Sequence, residues 1–221
     1  MYDIVFISYN ETQAEENWSN LKDRFPYALR VHGVKGIHQA HIAAANLAIT
    51  PMVYIVDADA IVLDDFDFSY VPSVDDQTTV HVYTSINPIN GLEYGNGGVK
   101  LFPRLATVNM DTTTNDMSTS ISNKFKVVDE ISNIAAFNVD EFSTWRSAFR
   151  ECAKLSSKTI KGQVDDETEA RLKIWTTVGK DKPFGEYCIN GACAGMEFGL
   201  SSGADLNFIN NFDWLKRQFN A

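Results

Sequence analysis

Two aspartates one residue apart, Asp57 and Asp59, close the stretch MVYIVDAD at residues 52–59. The residues ahead of Asp57 have the β-branched and aromatic content of a strand buried on both faces. An ionised carboxylate at the end of such a strand is costly unless a cation or a hydrogen-bond donor compensates it. In extended backbone, residues i and i+2 project to the same side, and a turn after the strand lets both carboxylates reach one hard cation. Mg²⁺ and Mn²⁺ take oxygen ligands and commonly bind through one or two carboxylates plus substrate phosphates. A cation held there can grip a diphosphate and neutralise charge as it leaves. Asp64, Asp65 and Asp67, just downstream, read as a solvated turn.

The elements around this pair alternate. YDIVFISYN reads as a strand, and TQAEENWSNLKDRF as a helix with Thr12 and Glu15 spaced as a capping box. YALRVHG is a short second strand, GIHQAHIAAANLAI a second helix closed by Thr50-Pro51, and the Asp57 strand follows. This order predicts parallel strands with right-handed crossovers in an α/β sheet flanked by helices. Ligands of such sheets bind at the carboxyl ends of the strands, where Asn10 and Glu11, His32 and Gly33, and Asp57 and Asp59 all fall. Lys35, beside the start of the second helix, is placed to pair with a diphosphate. His38 and His41 read as polar contacts near the site rather than a zinc pair.

Further along, TTVHVYTSINPI alternates as a strand, and EYGNGGVKLF reads as a glycine-rich turn entering another. Gly97 and Gly98 there allow close backbone approach to a bound sugar or base, or form a tight hairpin. Residues 107–123 are mostly Thr, Ser, Asn and Asp and read as a loop, either a lid or a plain surface excursion. Helices are expected at about 140–158, about 165–178 and in NFDWLKRQF. Asp140 and Glu141 open the first of these, as capping carboxylates or, for one of them, as the base that takes a proton from an acceptor hydroxyl. Arg146, Arg150, Lys154 and Lys158 recur every four residues, giving a solvated helix face or a strip that lies along phosphates.

The chain has 221 residues and a formal net charge of −10, which argues against loose polyanion binding but not against a local basic groove. One domain is the expectation, with a binding half at about 1–104 and a helical half at about 124–221. The three cysteines are too few and scattered for a disulfide framework or zinc site. The amino terminus lacks signal-peptide features, and no apolar run has the length of a membrane helix. The cytoplasm is therefore the expected compartment, with no protein partner evident.

VFISYNE followed by GIHQAHIAAANLAITPMVYIVDADAIVLDD resembles the amino-terminal half of GT-A-fold glycosyltransferases that use nucleotide sugars. The counterparts of that family's segments are Tyr9-Asn10-Glu11, Ala44-Ala45-Asn46 and Asp57-Ala58-Asp59. The resemblance implies a GT-A fold in which Ser8, Tyr9, Asn10 and Glu11 line the nucleoside pocket. It also implies that Asp57 faces the ribose or the metal and that Asp59 binds Mn²⁺ or Mg²⁺. Two features depart from the pattern. Ala45 stands where many relatives carry arginine, and no histidine follows residue 81, so Asp205, Asp213 or water would complete the metal.

More narrowly, YGNGGVKLFP and DEFSTWRSAFRECAKL, with the earlier stretches, are similar to glycosyltransferases of large tailed bacteriophages. That similarity implies transfer from a UDP-sugar, a pentose such as arabinose favoured, to hydroxymethylcytosine in double-stranded DNA, in the host cytoplasm. Arg146 and Arg150 would hold the phosphates, and the base would be flipped out. The alternatives are a glycosyltransferase with a glycan, protein or small-molecule acceptor, a sugar nucleotidyltransferase, or a non-catalytic carbohydrate-binding protein. The nucleotidyltransferase is disfavoured because SYNETQAEEN has no arginine or lysine.

Overall fold

The computed structural model describes residues 1–113, 117–158 and 164–221. These divide into two compact units, Met1–Ile86 with Glu93–Ala136, and Asn87–Leu92 with Phe137–Ala221.

The first unit follows the expected alternation: β1 (Asp3–Ser8), α1 (Ala14–Arg24), β2 (Leu29–His32), α2 (Ile37–Leu47) and β3 (Met52–Asp57). It continues with β4 (Ala60–Val62), β5 (Val80–Ile86), β6 (Glu93–Pro103), the short helices α3 (Arg104–Val108) and α4 (Met117–Ile121), and β7 (Phe125–Ala135). The sheet order is β2-β1-β3-β6-β5-β7-β4. β1 pairs in parallel with β2 and β3, as expected, whereas β6 runs antiparallel between β3 and β5, so the sheet is mixed.

The pleat of β3 divides the core. Tyr54 and Val56 pack with Phe6, Leu21, Phe66, Phe68 and Tyr83, while Val53 and Ile55 pack with Val5, Ala44, Ala45 and Phe102. Each fully buried Val, Leu, Ile or Phe side chain among these contributes about 1.5–3 kcal/mol. β3 thus lies inside the sheet with both faces covered, as its unbroken apolar run predicts.

Three expectations are corrected. Gln13 caps α1 without a side-chain bond, so Thr12 and Glu15 form no capping box. Glu15 is drawn instead to Arg30 of β2, at 2.6 and 2.9 Å. EYGNGGVKLF is a single strand with an irregular register rather than a turn or hairpin. In the segment 107–123, residues 114–116 lie outside the described residues, but Met110 and Ile121 are buried against Val53 and Phe102 and anchor the rest.

The second unit contains α5 (Glu141–Ser156), α6 (Asp165–Thr177), α7 (Gly185–Leu200) and α8 (Phe212–Phe219). Its core joins Phe142, Trp145 and Phe149 of α5 to Leu215 of α8 and to Ile209. α7 has no counterpart in the sequence reading, because its glycines are poor helix formers in isolation. Their reason is close packing: a Cβ on Gly191 would lie 2.3 Å from the Trp145 carbonyl, and one on Gly195 would lie 2.2 Å from that of Phe149.

Candidate functional site

Asp57 ends β3, and Asp59 lies in the turn that leads into β4. That turn is held from two sides. Asn17 Nδ2 of α1 donates to the Ala58 carbonyl at 2.8 Å, and the Ala136 N–H donates to the Asp59 carbonyl at 2.7 Å. β4 then pairs antiparallel with β7, Ala60 opposite Ala135. Backbone bonds on both flanks fix where the two carboxylates are presented.

Lys100 supplies a compensating charge for Asp57. It stands opposite Ile55 on β6, and by the pleat it shares the face of Asp57. Its Nζ donates to Asp57 Oδ1 at 2.6 Å and to the Gly97 carbonyl at 2.7 Å. The Lys100 side chain is 4% exposed against 32% for Asp57, so the ammonium lies behind the carboxylate and the carboxylate faces out. Burial pushes the Asp57 carboxyl up to about 6; Asp59 and Glu11 add to the rise and Lys100 opposes it. A neighbouring lysine does not fully offset the burial and the like charges. Additional positive charge would therefore be stabilising at this point.

The glycines have distinct roles. Between Gly95, opposite Thr84, and Lys100, opposite Val82, β6 makes a wide bulge. Gly97 lies in it at φ +87°, with open space where a Cβ would be, and turns its carbonyl to Lys100. A Cβ on Gly98 would lie 2.6 Å from Nδ2 of the fully buried Asn133. Gly98 is thus accounted for by packing, and only Gly97 of the pair borders open space.

The ends of β1 and β2 meet as the sequence reading placed them. Ser8 is in register with His32, and its Oγ lies 3.0 Å from His32 Nδ1 while accepting from Arg30 Nε at 3.0 Å. Arg30 also lies 5.7 Å from the ring centroids of both Phe6 and Trp18. Tyr9, Asn10 and Glu11 are exposed, and the Glu11 carboxylate accepts the Tyr9 N–H at 2.7 Å. Lys35 is exposed on the loop between Gly33 and Gly36. His41 is fully buried, its Nδ1 2.8 Å from the Ile37 carbonyl, and burial holds its pKa well below the usual histidine range.

In the second unit Asp140 is the amino-terminal cap of α5, its two oxygens accepting from the Ser143 N–H and Oγ, each at 2.7 Å. Burial alone would raise that carboxyl; the bonds from Ser143 and Phe142 outweigh it and hold the pKa below the usual value. Capping is therefore the role this geometry gives Asp140. Glu141 is exposed and accepts from the Tyr187 hydroxyl. The basic strip is engaged within its own unit. Arg146 lies over Phe142 and Phe212, and Arg150 donates to Asn210 at 2.9 Å. Lys154 pairs with Glu151 at 3.5 Å and Lys158 with Asp165 at 2.8 Å.

Among the described residues no group of three or more His, Cys, Asp or Glu side chains gathers as a metal site. Asp57 and Asp59 nevertheless fit a hard divalent cation whose remaining ligands come from phosphate and water. The donors are oxygen, the first carboxyl is raised by burial and like charge, and Lys100 engages only one of its oxygens. Lys100, Asn17 and Arg30 went unidentified in the sequence reading. Lys100 did leave a signal, since a lone charge in the apolar run VKLF calls for a buried partner.

No protein-family model and no curated protein matches the chain. Among solved structures, the mannosyltransferase PcManGT of Pyrobaculum calidifontis, in complex with GDP-Man and Mn²⁺, is similar at a TM-score of 0.44 and 13% identity. The likeness covers 93% of this chain and 77% of that one. At that level it carries no argument about activity. Among the described residues no helix is long and apolar enough to cross a membrane.

Proposed function

We propose that the chain is a glycosyltransferase that takes a sugar from a nucleoside diphosphate sugar with the help of Mn²⁺ or Mg²⁺. The observation that carries this reading is the clamped turn holding Asp57 and Asp59 at the carboxyl edge of β3, with Lys100 buried behind it. In transfer, the bond from the anomeric carbon to the diphosphate oxygen breaks and a bond to the acceptor oxygen forms. The acceptor proton passes to a base or to the departing phosphate. A bound divalent cation supplies charge neutralisation at that diphosphate. Asp57 and Asp59 would hold the ion, Lys100 would fix Asp57, and Ser8, Tyr9, Asn10, Glu11, His32 and Lys35 would bind the nucleotide. Of the two carboxylates at the start of α5, Glu141 is the one not used in capping and is the candidate base.

The finer reading is a UDP-sugar donor, a pentose such as arabinose, and hydroxymethylcytosine in phage DNA as acceptor. It rests on the sequence resemblance, with Gly97, Arg146 and Arg150 on the acceptor side. Because the strip on α5 is already paired or packed, a glycan, protein or small-molecule acceptor stands as the second reading.

The test mixes the protein with Mn²⁺, hydroxymethylcytosine-containing duplex DNA and UDP-arabinose or UDP-glucose, and weighs the digested nucleosides. A pentose or hexose added to that nucleoside establishes both donor and acceptor. UDP release without DNA modification keeps the enzyme and discards the DNA. Asp59→Ala is expected to abolish turnover and metal-dependent donor binding without loss of fold. Full activity in that variant would remove the metal assignment.

A further inference from the structure

Three strand ends lie side by side at the carboxyl edge of the first unit's sheet. Ser8 of β1 is in register with His32 of β2, and Ile7 of β1 is in register with Asp57 of β3. Adjacent strands lie about 4.8 Å apart, so the His32 and Asp57 backbones are separated by about two such spacings, close to the reach of a nucleotide from base to diphosphate. By the pleat, His32 and Asp57 point to opposite faces. A ligand touching both must therefore lie across the edge itself.

The contacts at His32 bear on which of its nitrogens carries the hydrogen. A guanidinium only donates. Arg30 Nε donates to Ser8 Oγ at 3.0 Å, and Arg30 Nη2 approaches His32 Nδ1 at 3.5 Å. Ser8 Oγ lies 3.0 Å from the same Nδ1 and is nearly buried, with no other acceptor for its single hydrogen among the described residues. A lone pair on Nδ1 accommodates both donors, and a neutral ring so arranged carries its hydrogen on Nε2. The Arg30 guanidinium is itself held by Glu15 at 2.6 and 2.9 Å and lies over the Phe6 and Trp18 rings. His32 is exposed, and its Nε2 makes no hydrogen bond within the described residues.

We infer that His32 is a fixed N–H donor that reads a keto oxygen of the donor's base, so that the site takes uracil or guanine and discriminates against cytosine or adenine. The inference rests on reading this edge as the nucleotide site. Uracil O4 and guanine O6 accept a hydrogen at the position where cytosine N4 and adenine N6 carry an amino group. A donor facing a donor leaves both unpaired, and one such mismatch costs about tenfold or more in affinity. For this base readout Ser8 and Arg30 serve as positioning residues, acting through the tautomer of His32, whatever else Ser8 contacts on the nucleotide.

Two measurements test this. A long-range ¹H–¹⁵N spectrum of the ligand-free protein at mildly alkaline pH is expected to show the Nε2–H tautomer of His32. The Nδ1–H tautomer would overturn the inference whatever the protein binds. The second is calorimetric, with Mn²⁺ and the matched pairs UDP against CDP and GDP against ADP. The keto member is expected to bind about tenfold or more tightly. His32→Phe is expected to reduce that ratio to within about threefold, and Ser8→Ala to lower it partway. Equal binding within both pairs, or a preference that survives His32→Phe, overturns the proposal. If no nucleotide binds, the nucleotide site falls and the base readout with it, even should the tautomer be as drawn.

Discussion

At the scale of single residues, the pair Lys100–Asp57 has the largest energetic stake. Removing the cation leaves a largely enclosed carboxylate uncompensated, which in buried pairs costs about 3–5 kcal/mol. Because Asp57 retains 32% exposure, Lys100→Met is expected to cost about 2–3 kcal/mol in urea unfolding. Adding Asp57→Asn should recover much of that loss, since no unpaired charge then remains, and sites that simply added would disprove the coupling. The same carboxyl makes a pH prediction. The folded chain holds the Asp57 proton up to about 6, above the ordinary value of 3.8. In the metal-free protein this contribution to stability is therefore complete below 3.8 and is lost as pH rises through about 6. A cation must displace that proton. Mn²⁺ affinity is expected to be level above about pH 7 and to fall by up to about tenfold per unit below about pH 6. A Mn²⁺ titration across that range checks it, and a flat profile would separate Asp57 from the metal.

At the scale of elements, close approach governs the second unit. On α7, a Cβ at position 195 would lie 2.2 Å from the Phe149 carbonyl of α5, a backbone atom that can yield only if the helices part. Gly195→Ala, which ordinary helix propensity would favour by about 1 kcal/mol, is instead expected to destabilise by about 2–3 kcal/mol. Asn190→Ala, on the exposed side of the same helix, should stay within about 0.5 kcal/mol; equal effects at the two positions would refute the packing account. In the first unit Asp3 ties the start of β1 to the approach to β3, its Oδ2 accepting from the N–H groups of Ile49 and Thr50 at 2.6 and 2.9 Å. Burial alone would raise the Asp3 carboxyl, but these bonds outweigh it and hold the pKa below 3.8. Its contribution is present above that value and is lost as pH falls through the lowered one. Asp3→Asn should accordingly flatten the fall in melting temperature at acid pH.

At the scale of the whole molecule, the net charge of −10 sets how a polyanion can be met. Duplex DNA would be repelled by most of the surface, so any binding must come from few phosphate contacts, and its salt dependence must be correspondingly shallow. If DNA is the acceptor, Arg146→Ala with Arg150→Ala should weaken binding across sequences and reduce the slope of log affinity against log salt by about 2. An unchanged slope would assign both arginines to the packing and hydrogen bonds they make with Phe142, Phe212 and Asn210.

The sequence by itself determined the α/β alternation from β1 to β3, the burial of β3 on both faces, and the placing of Asn10, His32 and Asp57 at one sheet edge. Those features follow from local pattern: apolar runs, helical periodicity and the direction rule for parallel strands. Tertiary structure decided what depends on residues distant in the chain. The antiparallel insertion of β6 brings Lys100 to Asp57 across 43 positions, and Asn17 reaches the Ala58 carbonyl across 41. Glu15 leaves its capping role because Arg30 competes for it, Asp140 keeps its own because Ser143 is local, and α7 forms because α5 rewards glycines that propensity alone penalises. Local propensities are worth tenths of a kcal/mol to about one, whereas a buried charge or a backbone clash is worth several, so wherever the two disagreed the long-range contact prevailed.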